Sequence, residues 1–213
     1  MVDLLNLKKS YQGILLDLDN TLYEYEPCHL YALAMCYQFF SDNVEGIEFE
    51  KFCTLYQMGR DAVKKNNIGT AGSHSRHLYF QLMLESMFGR TRVEESLKLG
   101  DLYWSSFIEK MKIRPWALKL LRDAKEQGIK VVIVTNLDAP LQYRKLVHLG
   151  VEDFIDFLVT SEEAGAEKPD RKIFEVALDK IALRPDDVVM IGDDEERDGL
   201  GARALGIPFI LCG

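Results

Sequence analysis

In the run Ile14-Leu15-Leu16-Asp17-Leu18-Asp19-Asn20-Thr21, an apolar strand delivers two carboxylates, two positions apart, into a turn. Side chains at i and i+2 of a strand share a face. Two acids side by side in a desolvated place raise each other's pKa and cost several kcal/mol unless something offsets their charge. A divalent cation is the usual offset, and catalysis the usual reason to keep such a pair. An isolated Asp-x-Asp more often only ends a strand and caps a turn, so the chemical reading of Asp17 and Asp19 needs support from elsewhere in the chain.

Three further segments supply it. Lys130-Val131-Val132-Ile133-Val134-Thr135-Asn136 is an apolar, β-branched run ending in a hydroxyl and an amide, the pattern of a parallel strand covered on both faces. In Glu167-Lys168-Pro169-Asp170 a lysine precedes a proline able to open a helix and an acid suited to its first turn. Asp187-Val188-Val189-Met190-Ile191-Gly192-Asp193-Asp194 is again an apolar strand that finishes in carboxylates, with Asp198 shortly after. Each polar group falls at or just beyond the carboxyl end of an expected strand, the edge at which open parallel α/β sheets bind ligands.

Taken in order, Asp17-x-Asp19-x-Thr21, Thr135-Asn136, Lys168-Pro169 and Gly192-Asp193-Asp194-x-x-x-Asp198 resemble the four motifs of the haloacid dehalogenase (HAD) superfamily, and the resemblance spans nearly the whole chain. It implies a doubly wound parallel α/β sheet, a Rossmann-like core, with an all-helical cap inserted after the first strand. By the same resemblance Asp17 is a nucleophile toward phosphorus and Asp19 the acid/base group, whose pKa a closed, dry site is expected to raise. Thr135, Asn136 and Lys168 are expected to hold phosphoryl oxygens. Magnesium is expected on Asp17, the carbonyl of Asp19 and Asp193, with Asp194 and Asp198 as further candidates that also read as helix-start acids. The activity implied is hydrolysis of a small phosphate ester, a sugar phosphate or nucleoside monophosphate. Alternatives are a phosphomutase, a 2-haloacid dehalogenase, which would need neither Asp19 nor a metal, and a binding protein that has lost catalysis.

Composition agrees with a compact enzyme. The chain has 213 residues, 47% of them hydrophobic, enough for a sizeable core and an insertion. Lys+Arg 26 against Asp+Glu 34 gives a net charge of −8, which offers no basic face to nucleic acid. Met1 to Gln12 lacks the charged start, apolar core and small-residue cleavage site of a signal peptide, and no apolar stretch reaches membrane-spanning length, so a cytoplasmic protein is expected. Cys28, Cys36, Cys53 and Cys212 have no metal-ligand spacing; Cys28 and Cys36, eight apart, are expected on the inner face of one helix.

The elements that must position these groups follow from periodicity. From about Glu26 to Met111 the pattern is helical in four segments, the first with Tyr31, Ala34, Met35, Gln38 and Phe39 on one side and the third marked by Leu78, Leu82 and Met83. Residues 23–111 are therefore expected to be the cap, and 1–22 with 112–213 the core. After Pro115 strands and helices alternate: strands over Val131 to Val134, Phe157 to Thr160, Val188 to Ile191 and Pro208 to Leu211, a helix opened by Pro115 and stopped by Gly128, and helices near Pro140 to Leu149, Asp170 to Ile181 and Glu195 to Leu205. In the cap, the loop Gly72-Ser73-His74-Ser75-Arg76-His77 brings one arginine and two histidines to the start of the third helix, so His74, Arg76 and His77 are candidates for reading the leaving group, with Tyr23 and Glu24 as an opposing flap.

Overall fold

The computed structural model describes residues 11–42, 44 and 46–212. The expectation about a leader segment falls largely on residues 1–10 and so lies outside the described residues. The chain divides into two compact units. One holds the chain through Glu24, Gly69–Ala71 and everything from Lys112 onward; the other holds Tyr25–Ile68 and Gly72–Met111.

The first unit is built on strands β1 (Gly13–Leu16), β2 (Lys130–Thr135), β3 (Phe157–Thr160), β4 (Val188–Gly192) and β5 (Phe209–Leu211). They form one sheet in the order β3-β2-β1-β4-β5, and every pairing is parallel. Register places Leu16 opposite Ile133 on one side and Ile191 on the other, so the chain leaves β1, β2 and β4 at one edge. Alternate side chains of these strands cover opposite faces. Leu15, Val132, Val134 and Met190 pack with Ile173, Phe174, Ala177 and Ile181 of the helix Arg171–Ile181 in one fully buried cluster. Ile14, Leu16, Ile133 and Ile191 are fully buried too, so both faces are covered, as a continuous apolar run requires.

Helix ends follow local chemistry. A helix over Pro115–Glu126 begins with its proline, whose missing N–H costs nothing in a first turn. The helix Ala139–Leu149 is capped by the Asp138 side chain, which accepts from the Leu141 N–H at 3.0 Å. Pro169 does not open a helix: Asp170 is the cap, accepting from the Lys172 N–H at 2.8 Å, and the helix starts at Arg171. The expected helix from Glu195 to Leu205 is a widened π turn, Glu195–Gly199, followed by one α turn, Leu200–Arg203. The amides of Asp198 and Gly199 both donate to the Asp194 carbonyl, at 2.8 and 3.3 Å. Such a bulge re-aims a side chain, and here the side chain is Asp198.

The second unit consists of helices α1 (Tyr25–Ser41), α2 (Phe49–Asn66), α3 (Arg76–Phe88) and α4 (Val93–Lys110). The face expected for α1 is the wrong one: Cys28, Ala32, Leu33, Cys36 and Phe40 are buried, while Ala34 and Gln38 are exposed. This helix is apolar nearly all round, so periodicity offers no choice of face; the cysteine pair did mark the inner one. On α3 the core is Tyr79, Phe80, Met83 and Leu84, with Leu78 outside. Aromatic rings fill the centre, Tyr56 lying 5.2 Å from Phe80 and 6.2 Å from Tyr103. All four cysteines are free. Among the described residues no helix is long and apolar enough to cross a membrane.

Helices α2 and α3 approach backbone to backbone at Gly59, where a Cβ would overlap the Tyr79 carbonyl oxygen. That oxygen cannot yield, so Gly59→Ala should cost about 1–3 kcal/mol by overpacking. At about 2–4 °C per kcal/mol for a chain of this size, thermal melting should show a clear drop in midpoint. An unchanged midpoint would mean that the two helices separate freely.

Candidate active site

Asp17 is the first residue beyond β1, and its N–H donates to the Ile191 carbonyl at 2.9 Å, which extends the β1–β4 pairing by one step and fixes the backbone. The residue is 5% exposed. Its Oδ1 accepts from Lys168 Nζ at 2.6 Å, whereas Oδ2, also buried, has no partner. The same ammonium group donates to Asp198 Oδ1 at 2.7 Å and to the Val134 carbonyl at 2.8 Å. Lys168 is itself placed through its backbone: Asn136 Oδ1 accepts from the Lys168 N–H at 2.8 Å, and Asn136 Nδ2 donates to the Lys168 carbonyl at 3.3 Å. The tip of β2 thus orients the lysine that sits between the carboxylates.

Burial pushes the Asp17 carboxyl up to about 7, with the neighbouring Asp198 adding to the rise and Lys168 opposing it. Burial disfavours the Lys168 cation, but Asp17 and Asp198 together outweigh that and hold it protonated. Two buried acids and one buried base leave net negative charge in a place that solvates it poorly, and Asp193 stands beside them. One ligand oxygen each from Asp17, Asp193 and Asp198 lies within 4.8 Å of the others. The unpartnered Asp17 Oδ2 and three hard oxygen donors fit a small divalent cation such as magnesium. Asp193 is held by Asn20 Nδ2 at 2.6 Å and more loosely by the Thr21 hydroxyl at 3.4 Å. Asn20 has φ of 67°, a left-handed turn that asparagine tolerates better than most residues.

Asp194 and Asp198 separate clearly. Asp194 caps the π turn, its Oδ1 accepting from the N–H groups of Glu196 and Arg197, both at 2.9 Å, and it stands outside the carboxylate cluster. Asp198 is 1% exposed, points inward, and receives the Asp194 N–H on Oδ2 at 3.2 Å.

Asp19 has an environment that sequence reasoning missed. Lys145 Nζ donates to its Oδ1 at 2.5 Å, Gln142 Nε2 donates to its Oδ2 at 2.9 Å, and the Tyr23 hydroxyl also bonds Oδ1. Burial raises the Asp19 pKa, but the Lys145 charge and these hydrogen bonds outweigh it, and the carboxyl is held below its usual value. The expected rise is therefore corrected: a cation in contact prevails over desolvation. Gln142 also donates to the Thr135 hydroxyl oxygen at 2.7 Å and so joins the β2 tip to Asp19. A signal was present in the sequence. Gln142 and Lys145, three apart on the helix Ala139–Leu149, lie among its buried residues, and Lys145 is 0% exposed. Polar groups on the apolar face of an amphipathic helix are seldom retained without a partner.

Tyr23 is fully buried, with its hydroxyl on Asp19, and Glu24 is exposed. In the helical unit His74, Arg76 and His77 do not converge. His77 Nε2 lies 3.0 Å from Asp101 Oδ1, His74 offers its carbonyl to Arg76 at 2.7 Å, and Arg76, the first residue of α3, is buried in the unit.

Gly192 ends β4 where Asp198 folds back, and a Cβ there would overlap the Asp198 carboxylate. Gly192→Ala should displace Asp198 and weaken binding of a divalent cation at least about tenfold by titration calorimetry, with circular dichroism unchanged. Undiminished affinity in the folded variant would remove Asp198 from the ion's surroundings.

Comparisons with known proteins agree with this geometry. A sequence profile of the haloacid dehalogenase-like hydrolases matches residues 11–206. A ribulose-1,5-bisphosphate 5-phosphatase of Halopiger xanaduensis is 41% identical over 199 residues, 93% of this chain and 83% of the relative. A glyceraldehyde 3-phosphate phosphatase of Methanothermobacter thermautotrophicus is 27% identical over 202 residues, 94% of this chain and 84% of the relative. The magnesium-bound HAD hydrolase YfnB of Bacillus subtilis superposes with a TM-score of 0.73 at 21% identity, covering 95% of this chain and 89% of that one, and shares the fold. With its parallel sheet, its four motifs at the strand ends and a profile match over most of its length, the chain belongs to the haloacid dehalogenase-like hydrolases.

Proposed function

We propose that this protein is a magnesium-dependent phosphatase of the cytoplasm that hydrolyses a small phosphorylated sugar through an aspartyl-phosphate on Asp17. The observation that carries the reading is the Asp17 carboxylate, with one oxygen on Lys168 and the other buried, unpartnered and beside Asp193 and Asp198. The relative with 41% identity acts on a sugar bisphosphate by its name, and the second relative on a triose phosphate, which favours sugars over nucleotides.

In the first step an Asp17 oxygen bonds to phosphorus as the bond from phosphorus to the sugar oxygen breaks, and the sugar leaves with a proton. In the second, water attacks phosphorus, the acyl phosphate opens, and Asp17 and inorganic phosphate are released. Asp17, Asp193 and Asp198 would hold the magnesium ion, which supplies positive charge against the phosphoryl oxygens. Lys168 adds a cation from the protein, and Thr135, whose oxygen already accepts from Gln142, has its hydroxyl proton to offer a phosphoryl oxygen. Ionised Asp19 takes the proton of the attacking water. It gives one to the sugar oxygen only after taking one up against the pull of Lys145, so the residues that hold Asp19 govern both steps.

Phosphate release from a panel of sugar phosphates should be abolished by chelation and restored by magnesium, with calcium a poor substitute because of its larger, looser shell. Asp17→Asn should fold normally and lose at least about a thousandfold in kcat. Halide release from 2-haloacids that survives chelation would instead make the protein a dehalogenase.

Lys145→Met should lower kcat about a hundredfold with little change in KM, because Asp19 loses its cationic partner while the phosphate site stays intact; Lys145→Arg should recover part of the loss. A methionine variant with ordinary kcat would show that Asp19 works without this contact.

A further inference from the structure

The chain leaves β2 at Thr135 and enters the helix Ala139–Leu149 through Asn136, Leu137 and Asp138. The middle residue is strained. Leu137 has φ of 137°, on the side of the backbone map that glycine occupies freely and a bulky side chain avoids. Its neighbours are an asparagine and an aspartate, types that tolerate positive φ better, yet Asp138 stays at −76° and it is the leucine that turns. Such a conformation costs free energy and persists only where the surroundings over-determine it.

A single hydroxyl supplies the hold. The Leu137 N–H donates to Ser161 Oγ at 2.9 Å, and the same hydroxyl donates back to the Leu137 carbonyl at 3.3 Å. Ser161 is buried directly after the last residue of β3, so it presents this hydroxyl from a packed strand end. Glu162, the next residue, accepts from the Ala139 N–H at 2.8 Å. These contacts tie the turn after β2 to the turn after β3.

What the strained residue fixes is direction, because its φ sets the angle between the tip of β2 and the helix that follows. On one side stand Thr135 and Asn136, the latter gripping the Lys168 backbone at 2.8 and 3.3 Å. On the other stand Gln142 and Lys145. Gln142 Nε2 returns to the Thr135 hydroxyl oxygen at 2.7 Å and to the Asn136 carbonyl at 3.1 Å, while Lys145 reaches Asp19 at 2.5 Å. A leucine relaxed to an ordinary negative φ would swing these two arms apart.

We propose that Ser161 is a positioning residue of the active site: its hydroxyl holds Leu137 in a backbone conformation that leucine avoids, and that turn sets Thr135 and Asn136 against Lys168, Gln142 and Lys145 to receive the phosphoryl group. This rests on the reading of the protein as a sugar-phosphate phosphatase. It accounts for strain placed one residue beyond the Thr135-Asn136 pair, where a glycine would carry none.

The test is a double-substitution cycle on the full chain with magnesium, read by steady-state hydrolysis of the sugar phosphate that the wild type cleaves best. Ser161→Ala should lower kcat/KM at least about tenfold, mostly through kcat, with circular dichroism unchanged. Ser161→Cys, close in shape but with a far weaker hydrogen-bonding atom, carries the same test if the alanine variant fails to fold. Leu137→Gly and Leu137→Ala both remove the buried side chain, but only glycine takes this φ unopposed. In the glycine background the loss of the Ser161 hydroxyl should therefore cost less than about threefold, and in the alanine background still at least about tenfold. Equal losses in the two backgrounds, or a Ser161→Ala protein with undiminished kcat/KM, would overturn the role of Ser161 while the phosphatase reading stands. A wild type that hydrolyses no sugar phosphate would overturn that reading, and this role with it.

Discussion

Asp17 and Asp198 share one ammonium group, Lys168 Nζ, at 2.6 and 2.7 Å, and all three side chains are buried. Burying an ion costs several kcal/mol even when it is paired, and this cluster buries two anions for one cation. Much of the surrounding structure can be understood as what that arrangement requires. The parallel register of β1, β2 and β4 brings the groups to one edge, Asn136 grips the Lys168 backbone on both sides, and the π turn after β4 swings Asp198 inward past a glycine. The residual negative charge, increased by Asp193, suits the place to a divalent cation.

The sheet separates this charged edge from the apolar interior that carries it. Strands buried on both faces give the loops at their ends a rigid base. A second cation, Lys145, approaches Asp19 from the helix that follows β2, with Gln142 linking the two arms through Thr135. Each of these two aspartates thus has a lysine in contact: Lys168 with Asp17 and Lys145 with Asp19. That division keeps the two aspartates, adjacent on one strand end, in different electrostatic states, the first held up and the second held down.

How much of this was legible in the sequence depended on the range of the interaction. Strand ends carrying acids, the order of the elements and the family resemblance are properties of contiguous residues, and the parallel sheet followed from them. Asp19's lowered pKa was not legible, because it depends on Lys145, 126 positions away, and the contact exists only once a helix docks on the sheet. The choice between Asp194 and Asp198 turned on a π turn that no periodicity announces. In the helical unit α1 is apolar on most sides and so hid its buried face, and Arg76, read at the start of the third helix, lies buried against aromatic rings of α3 and α4. Charge in the interior is decided by tertiary neighbours, and a linear pattern carries only the hint that a polar residue sits where an apolar one would be cheaper.

The central claim, that Asp17 itself bonds to phosphorus, is tested most directly by trapping. Protein quenched during turnover of a sugar phosphate and treated with borohydride should carry homoserine at position 17, as the reduction product of an aspartyl-phosphate, only when substrate and magnesium were present. Homoserine at position 19, or turnover at full rate with no reducible acyl phosphate anywhere in the chain, would contradict the account.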